Sequence, residues 1–412
     1  MGRPRRHAGG DEAIMTETSK RGFRTRLSHT GRAGKHTHGF VNPPLLRGST
    51  VLYPTVAERR AMAARRGERV LTYGLGGSET HWALEDVIAE VEGGTRCAIV
   101  CSGLAAVTTP LLAFLNAGEH CLMPDSVYGP SRNFAEGFLK RFGVETTFYD
   151  PVIDEAGITD LMRPNTTAVY TESPGSHTFE VQDIPAIAHA AHARGAKLLM
   201  DNTWGIHHFQ PFKHGVDVSI QAATKYPAGH SDILIGSITV NSAEDWERLH
   251  AASRGLGQYA SPDDCWLTLR GMRTLGVRLA QQMDSAIEVA HWLSRRPEVK
   301  QVLHPALPGA PGHTIWKRDF TGACSLFGVE FKPEFSAEST HALVESLALF
   351  GIGASWGGFE SLALPTTGFI TRTAGGGKFE GPVIRLHIGL EDVADLITDL
   401  EQGLQVMRAF GR

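Results

Sequence analysis

The chain has little net charge, few cysteines and no long apolar run, and each shortage removes a class of function. Its 40 Lys and Arg against 44 Asp and Glu leave a net charge of -4, so no strong field argues for nucleic acid or an anionic membrane surface. No stretch reaches the roughly 18 apolar residues of a membrane span. The most apolar segment, Cys97 to Leu115, is interrupted by Ser, Gly, Thr and Pro. The first 30 residues are basic and lack the apolar region of a secretory signal. The five cysteines (Cys97, Cys101, Cys121, Cys265, Cys324) are odd in number and scattered. That argues against a disulfide framework and fits a reducing cytoplasm, with the thiols acting as small hydrophobes. His36-Thr-His38 has metal-like spacing but no third ligand, and no zinc-type spacing occurs elsewhere. No metal is expected.

What the chain does have is the length and mix of a globular protein of two domains: 412 residues, 42% hydrophobic and 20% charged. Met1 to Lys20 reads as disordered, and Met15 is an alternative start that would leave residues 1–14 as an extension. Short apolar runs then alternate with helical patterns. Arg96–Ser102, Glu119–Pro124, Thr167–Glu172, Lys197–Asp201 and Val216–Ala222 read as strands, and Ile184–Arg194 as a helix stopped by Gly195. This rhythm predicts a mainly parallel sheet covered on both faces, with ligands bound outside the strands' carboxyl ends. After about residue 270 the texture changes. A helix over Thr274–Leu293, strands over Ser325–Phe331 and Val383–Ile388, and a last helix from Val393 predict a smaller α+β domain. The expected boundaries are 76–271 for the larger domain and 272–412 for the smaller.

The carboxyl ends of the strands hold the candidate chemistry. Asp201 closes one strand and Lys225 follows the next; on neighbouring strands they would share a crevice. Spacing alone leaves an ordinary strand-end salt bridge open. Pyridoxal phosphate chemistry would use such a pair. A lysine holds the cofactor as a Schiff base and moves protons at the substrate's α-carbon, while a carboxylate keeps the ring nitrogen protonated. The same cofactor needs phosphate donors, for which Gly103 and Leu104 in the turn after Ser102, and the Thr224 hydroxyl, are candidates. It also needs an aromatic face, for which Tyr128 is a candidate.

The run Asp217-Val-Ser-Ile-Gln-Ala-Ala-Thr-Lys-Tyr followed by Gly229-His-Ser-Asp strongly resembles the lysine motif of the Cys/Met-metabolism pyridoxal-phosphate enzymes. Glu172-Ser-Pro-Gly, Asp201-Asn-Thr-Trp, Arg270-Gly-Met-Arg-Thr-Leu, His304-Pro-Ala-Leu-Pro-Gly and Arg385-Leu-His-Ile-Gly-Leu-Glu-Asp match in order, so the resemblance runs from about Thr50 to about 405. It implies an α/β, aspartate-aminotransferase-like fold (type I of the pyridoxal-phosphate enzymes) and pyridoxal 5'-phosphate as cofactor. By the same resemblance Lys225 is the Schiff-base lysine, Asp201 the ring-nitrogen partner, Tyr128 the stacking ring, and Gly103, Leu104 and Thr224 the phosphate donors. Arg385 clamps the substrate carboxylate, with Ser355 and Trp356 shaping that end. Tyr73 would be donated across a subunit interface by an N-terminal arm over 21–75, in a cytoplasmic homotetramer whose partner beyond itself is only an amino-acid substrate.

Within the family, Ser355-Trp-Gly-Gly-Phe-Glu-Ser and the Ala-Ala-Thr-Lys-Tyr form resemble the cystathionine β-lyase type, which implies β-elimination of L-cystathionine and extends to cysteine S-conjugates. The alternatives are a γ-acting relative and a non-catalytic cofactor-binding homologue. One departure stands out. The family's Tyr-x-Arg, whose arginine binds the phosphate of the neighbouring subunit's cofactor, reads Tyr73-Gly74-Leu75 here, and Arg254 is a candidate substitute. A charge-assisted hydrogen bond is worth about 1.5–3 kcal/mol. Leu75→Arg is therefore expected to tighten pyridoxal 5'-phosphate by up to about that amount, read as the cofactor dissociation constant at matched protein concentration. Equal constants in the two proteins would mean that another cation already serves the phosphate or that Leu75 lies away from it.

Overall fold

The computed structural model describes residues 21–33, 37–65, 68–375 and 378–410. The expectations for Met1–Lys20, Met15 and His36 fall outside these residues.

Seven strands form the larger sheet: β1 (Arg96–Val100), β2 (His120–Pro124), β3 (Glu145–Tyr149), β4 (Thr166–Glu172), β5 (Lys197–Asp201), β6 (Val218–Gln221) and β7 (Gly236–Val240). Their order is β1-β7-β6-β5-β4-β2-β3. From β3 to β6 every pairing is parallel, whereas β7 runs antiparallel to both β6 and β1. The expected mainly parallel sheet is present. Strand β7 is absent from the sequence reading, because its Gly-Ser start hides it among turn residues.

The central strands read as unbroken apolar runs because both their faces are covered. In β5, Leu198 and Met200 enter one core while Leu199, between them, enters the core on the opposite face. Strand β4 divides in the same way, with Val169 on one side and Ala168 and Tyr170 on the other. Period-two geometry thus packs helices on each side. Among these helices are α1 (Glu79–Glu92), α2 (Gly103–Phe114), α3 (Ile184–Ala193) and α4 (Ala243–Gly255).

The smaller unit has five strands, β8 (Val299–Leu303), β9 (Leu326–Phe331), β10 (Gly351–Ile352), β11 (Leu362–Pro365) and β12 (Val383–His387), in the order β10-β11-β12-β9-β8. Its core is filled by Phe327, Val329, Ile384 and Leu386. Against them pack Leu396, Leu400, Leu404 and Met407 of the last helix, Val393–Ala409, at helical spacing.

Helix α5 (Pro262–Leu293) is longer than the expected Thr274–Leu293. Its start is marked by Ser261, which accepts a hydrogen bond from the Asp263 N–H, by Pro262 in the first turn, and by Asp263 and Asp264. That is a full set of N-terminal signals. Cys265, Leu269, Met272, Leu275 and Leu279 enter the larger unit's core, and Ala286, Val289, Ala290 and Leu293 enter the smaller one's. The helix crosses the 271/272 boundary unbroken, so one rigid rod belongs to both cores.

Leu199 is fully buried at the centre of the larger sheet. Leu199→Ala is expected to cost about 2–5 kcal/mol, seen as a lower urea midpoint at unchanged m-value. A loss under about 1 kcal/mol would mean that the sheet closes over the deleted volume.

Candidate active site

The parallel register decides which side chains meet. Glu172 at the end of β4 is the register partner of Asp201 at the end of β5, and Asp201 is that of Ile220 on β6. Lys225 follows β6 in a tight turn, its N–H donating to the Ala222 carbonyl at 2.9 Å. A cavity of about 290 Å³ opens beyond these strand ends, as expected for such a sheet. Lys225, Asp201, Tyr128, Gly103, Leu104, Thr224, Trp356 and Arg385 all line it.

Lys225 Nζ donates to Ser355 Oγ at 2.7 Å and lies 5.2 Å from the centre of the Trp356 ring. Burial lowers its affinity for a proton, the Arg385 charge adds to that, and Asp201 opposes it; the result is a pKa of about 8. This amine is far easier to deprotonate than an ordinary lysine. Asp201 accepts the Thr203 N–H at 2.9 Å, and burial pushes its pKa up. Burial, and then the nearby Asp201, push Glu172 up to about 8. Tyr128 is half-exposed over the cavity, held by its N–H, which donates to Glu172 Oε2 at 2.7 Å.

At the far wall, Arg385 projects from β12. Its Nη2 donates to the carbonyls of Ala354 at 2.8 Å, Ser355 at 3.1 Å and Gly353 at 3.4 Å. One nitrogen is thereby anchored to the Ser355 loop. Burial lowers the guanidinium pKa to about 10, which still leaves it charged near neutrality. At the opposite end, helix α2 begins with Ser102 accepting the Ala105 N–H at 3.1 Å. Gly103 and Leu104 come next, with N–H groups that have no partner inside the helix. A Cβ on Gly103 would stand 2.6 Å from the Ala222 side chain, so the helix start is pressed against the Lys225 turn. The Thr224 hydroxyl donates to the Ile235 carbonyl at 3.0 Å and accepts the Ile235 N–H at 2.9 Å.

Two positions lie elsewhere in the single chain. Tyr73 is exposed and borders a separate hollow with Leu46–Val51, His81 and Tyr259, not the Lys225 cavity. Leu75 lines another hollow, together with Arg254. Arg254 Nη1 sits 3.7 Å from where a Cβ on Gly76 would stand, and among the described residues the guanidinium has no hydrogen-bond or ion-pair partner.

Other site residues carry no role in the sequence reading. Glu172 was legible only as part of a motif, although it ends its strand just as Asp201 does. Ser176, His177 and Thr203 also line the cavity. Behind the strands, buried Glu92 accepts from Ser219 Oγ, from Gln221 Nε2 at 2.8 Å and from Asn202 Nδ2 at 3.3 Å, which ties α1 to β5 and β6. Nothing local in the sequence marks Glu92, because its partners come from distant segments. Among the described residues no cluster suited to a metal ion occurs, and no helix is long and apolar enough to cross a membrane.

The profile of the family described as Cys/Met metabolism PLP-dependent enzyme matches residues 24–405. A protein of Rhizobium johnstonii is 50% identical over 94% of this chain and 97% of its own length. The cystathionine beta-lyase MetC of Escherichia coli is 43% identical over 92% of this chain and 97% of its own. In three dimensions, the solved structure of metB from Corynebacterium glutamicum superposes with a TM-score of 0.86 at 29% identity, covering 94% of this chain and 99% of that one. The cavity fits pyridoxal 5'-phosphate by the chemistry of its donors. It has one readily deprotonated amine for the aldehyde, two acids for a cationic ring (Glu172 buried, Asp201 partly so), a half-exposed aromatic face, and a helix start for the phosphate.

In the cofactor-free protein, labelling of Lys225 by an amine reagent is expected to rise with pH through a midpoint of about 8, since only the neutral amine reacts. Removing the Arg385 charge by Arg385→Gln should move that midpoint upward, toward the ordinary lysine value of about 10.4. Mass-spectrometric labelling profiles read both midpoints. A profile that Arg385→Gln leaves unmoved would assign the depression to burial alone.

Proposed function

The chain belongs to the Cys/Met-metabolism PLP-dependent enzymes, and from that membership we propose that it is a carbon–sulfur lyase cleaving L-cystathionine by β-elimination. L-Cystathionine and water yield homocysteine, pyruvate and ammonia, and cysteine S-conjugates are further substrates of the same chemistry. One observation carries this reading: Lys225 stands between Asp201 on one side and the Ser355–Trp356 loop on the other, with Arg385 behind that loop. The relatives named cystathionine beta-lyase, matched over nearly the full chain, support the β choice over the γ.

When bound, pyridoxal 5'-phosphate supplies a protonated ring that accepts the electron pair left at the substrate's α-carbon. The residues here divide the remaining work. Asp201, partly buried and anchored by the Thr203 N–H, would keep the ring nitrogen protonated. Tyr128 would cover one ring face, and the N–H groups of Gly103 and Leu104 would hold the phosphate, joined by the Thr224 hydroxyl once its proton turns from the Ile235 carbonyl. Arg385 grips the substrate's α-carboxylate with the part of its fork that the loop carbonyls leave free. Lys225 Nζ, neutral above about pH 8, takes the proton from the α-carbon and returns one to the departing sulfur. Ser355 Oγ fixes where that nitrogen points, and Trp356 walls the amine from water.

Tyr73 stands outside the Lys225 cavity of its own chain, which leaves it available to the cavity of a second chain. We therefore read the active form as an oligomer with shared sites, a homotetramer in the cytoplasm. Arg254 lines the same hollow as Leu75 and is the candidate cation for the neighbouring subunit's phosphate; the more of that role it fills, the less Leu75→Arg gains.

The test is product analysis with L-cystathionine. Pyruvate at a rate that Lys225→Ala lowers by more than about a thousandfold is the expected result. Production of 2-oxobutyrate would overturn β-elimination in favour of γ-cleavage, and neither product would mean a non-catalytic homologue.

A further inference from the structure

We propose that Glu172 is a second acid of the ring pocket, a positioning residue that fixes Tyr128 by its backbone and shares a single proton with Asp201. The proposal rests on the cofactor of the family. It starts from the sheet register: Glu172 and Asp201 are direct partners on parallel strands, so their carboxyl groups leave the same edge side by side. Both line the cavity, and Glu172 is 8% exposed. Two carboxylates side by side on one strand edge and largely out of water do not both ionise readily without a cation between them.

The groups in contact with Glu172 supply no cation, and the one charge facing the pair, Lys225, acts on Asp201. Its hydrogen bonds come from the Tyr128 N–H, at 2.7 Å, and from Ser176. Asp201 faces it from β5, and Tyr170 lies on its own strand. His177 follows in the next loop, and burial, then Arg385, lowers its pKa to about 4, so it is neutral. Lys225 faces Asp201 and is bonded to Ser355, and Arg385 is anchored to the carbonyls of residues 353–355. Burial raises the proton affinity of Glu172 first and the Asp201 charge adds to it, as expected for a pair holding one proton between them.

The consequence concerns where the ring nitrogen obtains its proton. A proton passing from the pair to the ring leaves the pocket's total charge unchanged, with the two carboxylates now facing a cation. Nothing is then taken from solvent. With one acid removed, the proton must come from outside. Tyr128 depends on the same residue, since its N–H is held by Glu172 and its ring hangs over the cavity.

The experiment is calorimetric titration of the cofactor-free protein with pyridoxal 5'-phosphate at pH 7.5 in two buffers of different ionisation enthalpy, which counts protons taken up on binding. Glu172→Gln keeps an oxygen for the Tyr128 N–H but cannot share a proton. It is expected to take up about one more proton per site than wild type. Glu172→Asp keeps the acid and should restore the wild-type count, with circular dichroism confirming that both variants are folded. A wild-type count in Glu172→Gln, or an aspartate variant that behaves like the glutamine one, overturns the shared proton. Failure of the wild type itself to bind the cofactor would instead overturn the family reading on which the proposal stands.

Discussion

The site depends on the parallel pairing of β4, β5 and β6. Each strand ends in or near a polar residue, Glu172, Asp201 and then the Gln221–Lys225 turn, and the pairing lines these ends up on one edge. The register is held by the apolar residues between, since a slip of one position would exchange the two faces of each strand. In β5 such a slip would drive Leu198 and Met200 into the space that Leu199 fills. The positions of the charged groups are therefore set by hydrophobic packing several ångströms below them.

The smaller unit closes the cavity, and a chain of hydrogen bonds holds it there. Tyr226, next to Lys225, bonds through its hydroxyl to Ser325 Oγ at 3.1 Å, and Ser325 Oγ bonds to His387 Nδ1 at 3.0 Å. His387 Nε2 accepts the Gly357 N–H at 3.1 Å. The loop carrying Ser355 and Trp356 is thus tied back to the lysine it covers. Gly357 has φ of +84°, and a Cβ there would stand 2.8 Å from the Tyr226 nitrogen, so this close approach requires glycine. With α5 rooted in both cores, the two walls of the cavity are held at a fixed separation.

Burial acts on every charge of the site in the direction that favours neutrality. It raises the acids Asp201 and Glu172 and lowers Lys225 and Arg385. A lysine acting as proposed, as nucleophile and proton carrier, gains from this, because more of it is neutral at working pH. Two acids facing each other gain only when a cation arrives, and a protonated ring is such a cation. On the proposed reading, the same partial burial prepares the amine to react and the acids to receive the ring.

Much of this was legible in the sequence because it depends on local pattern. Apolar runs bounded by turn residues marked most of the larger sheet's strands, and an acid and a lysine just past two of them marked the centre of the cavity. The motifs around Lys225, Asp201 and Arg385 carried the family. What local pattern misses is whatever depends on partners far apart in the chain. Strand β7 gains its place only by pairing with β1 and β6, and the first turns of α5 were hidden although Ser261-Pro262-Asp263 announces them. Glu92 meets its donors across about 110 to 130 residues. Glu172 became a partner of Asp201 only when the register set β4 beside β5. Tyr73 and Leu75 show the limit most clearly: the residues of one chain do not bring Tyr73 to Lys225. Residue type and spacing announce which groups are present, but distance and desolvation, which decide what those groups do, exist only once the sheet has formed.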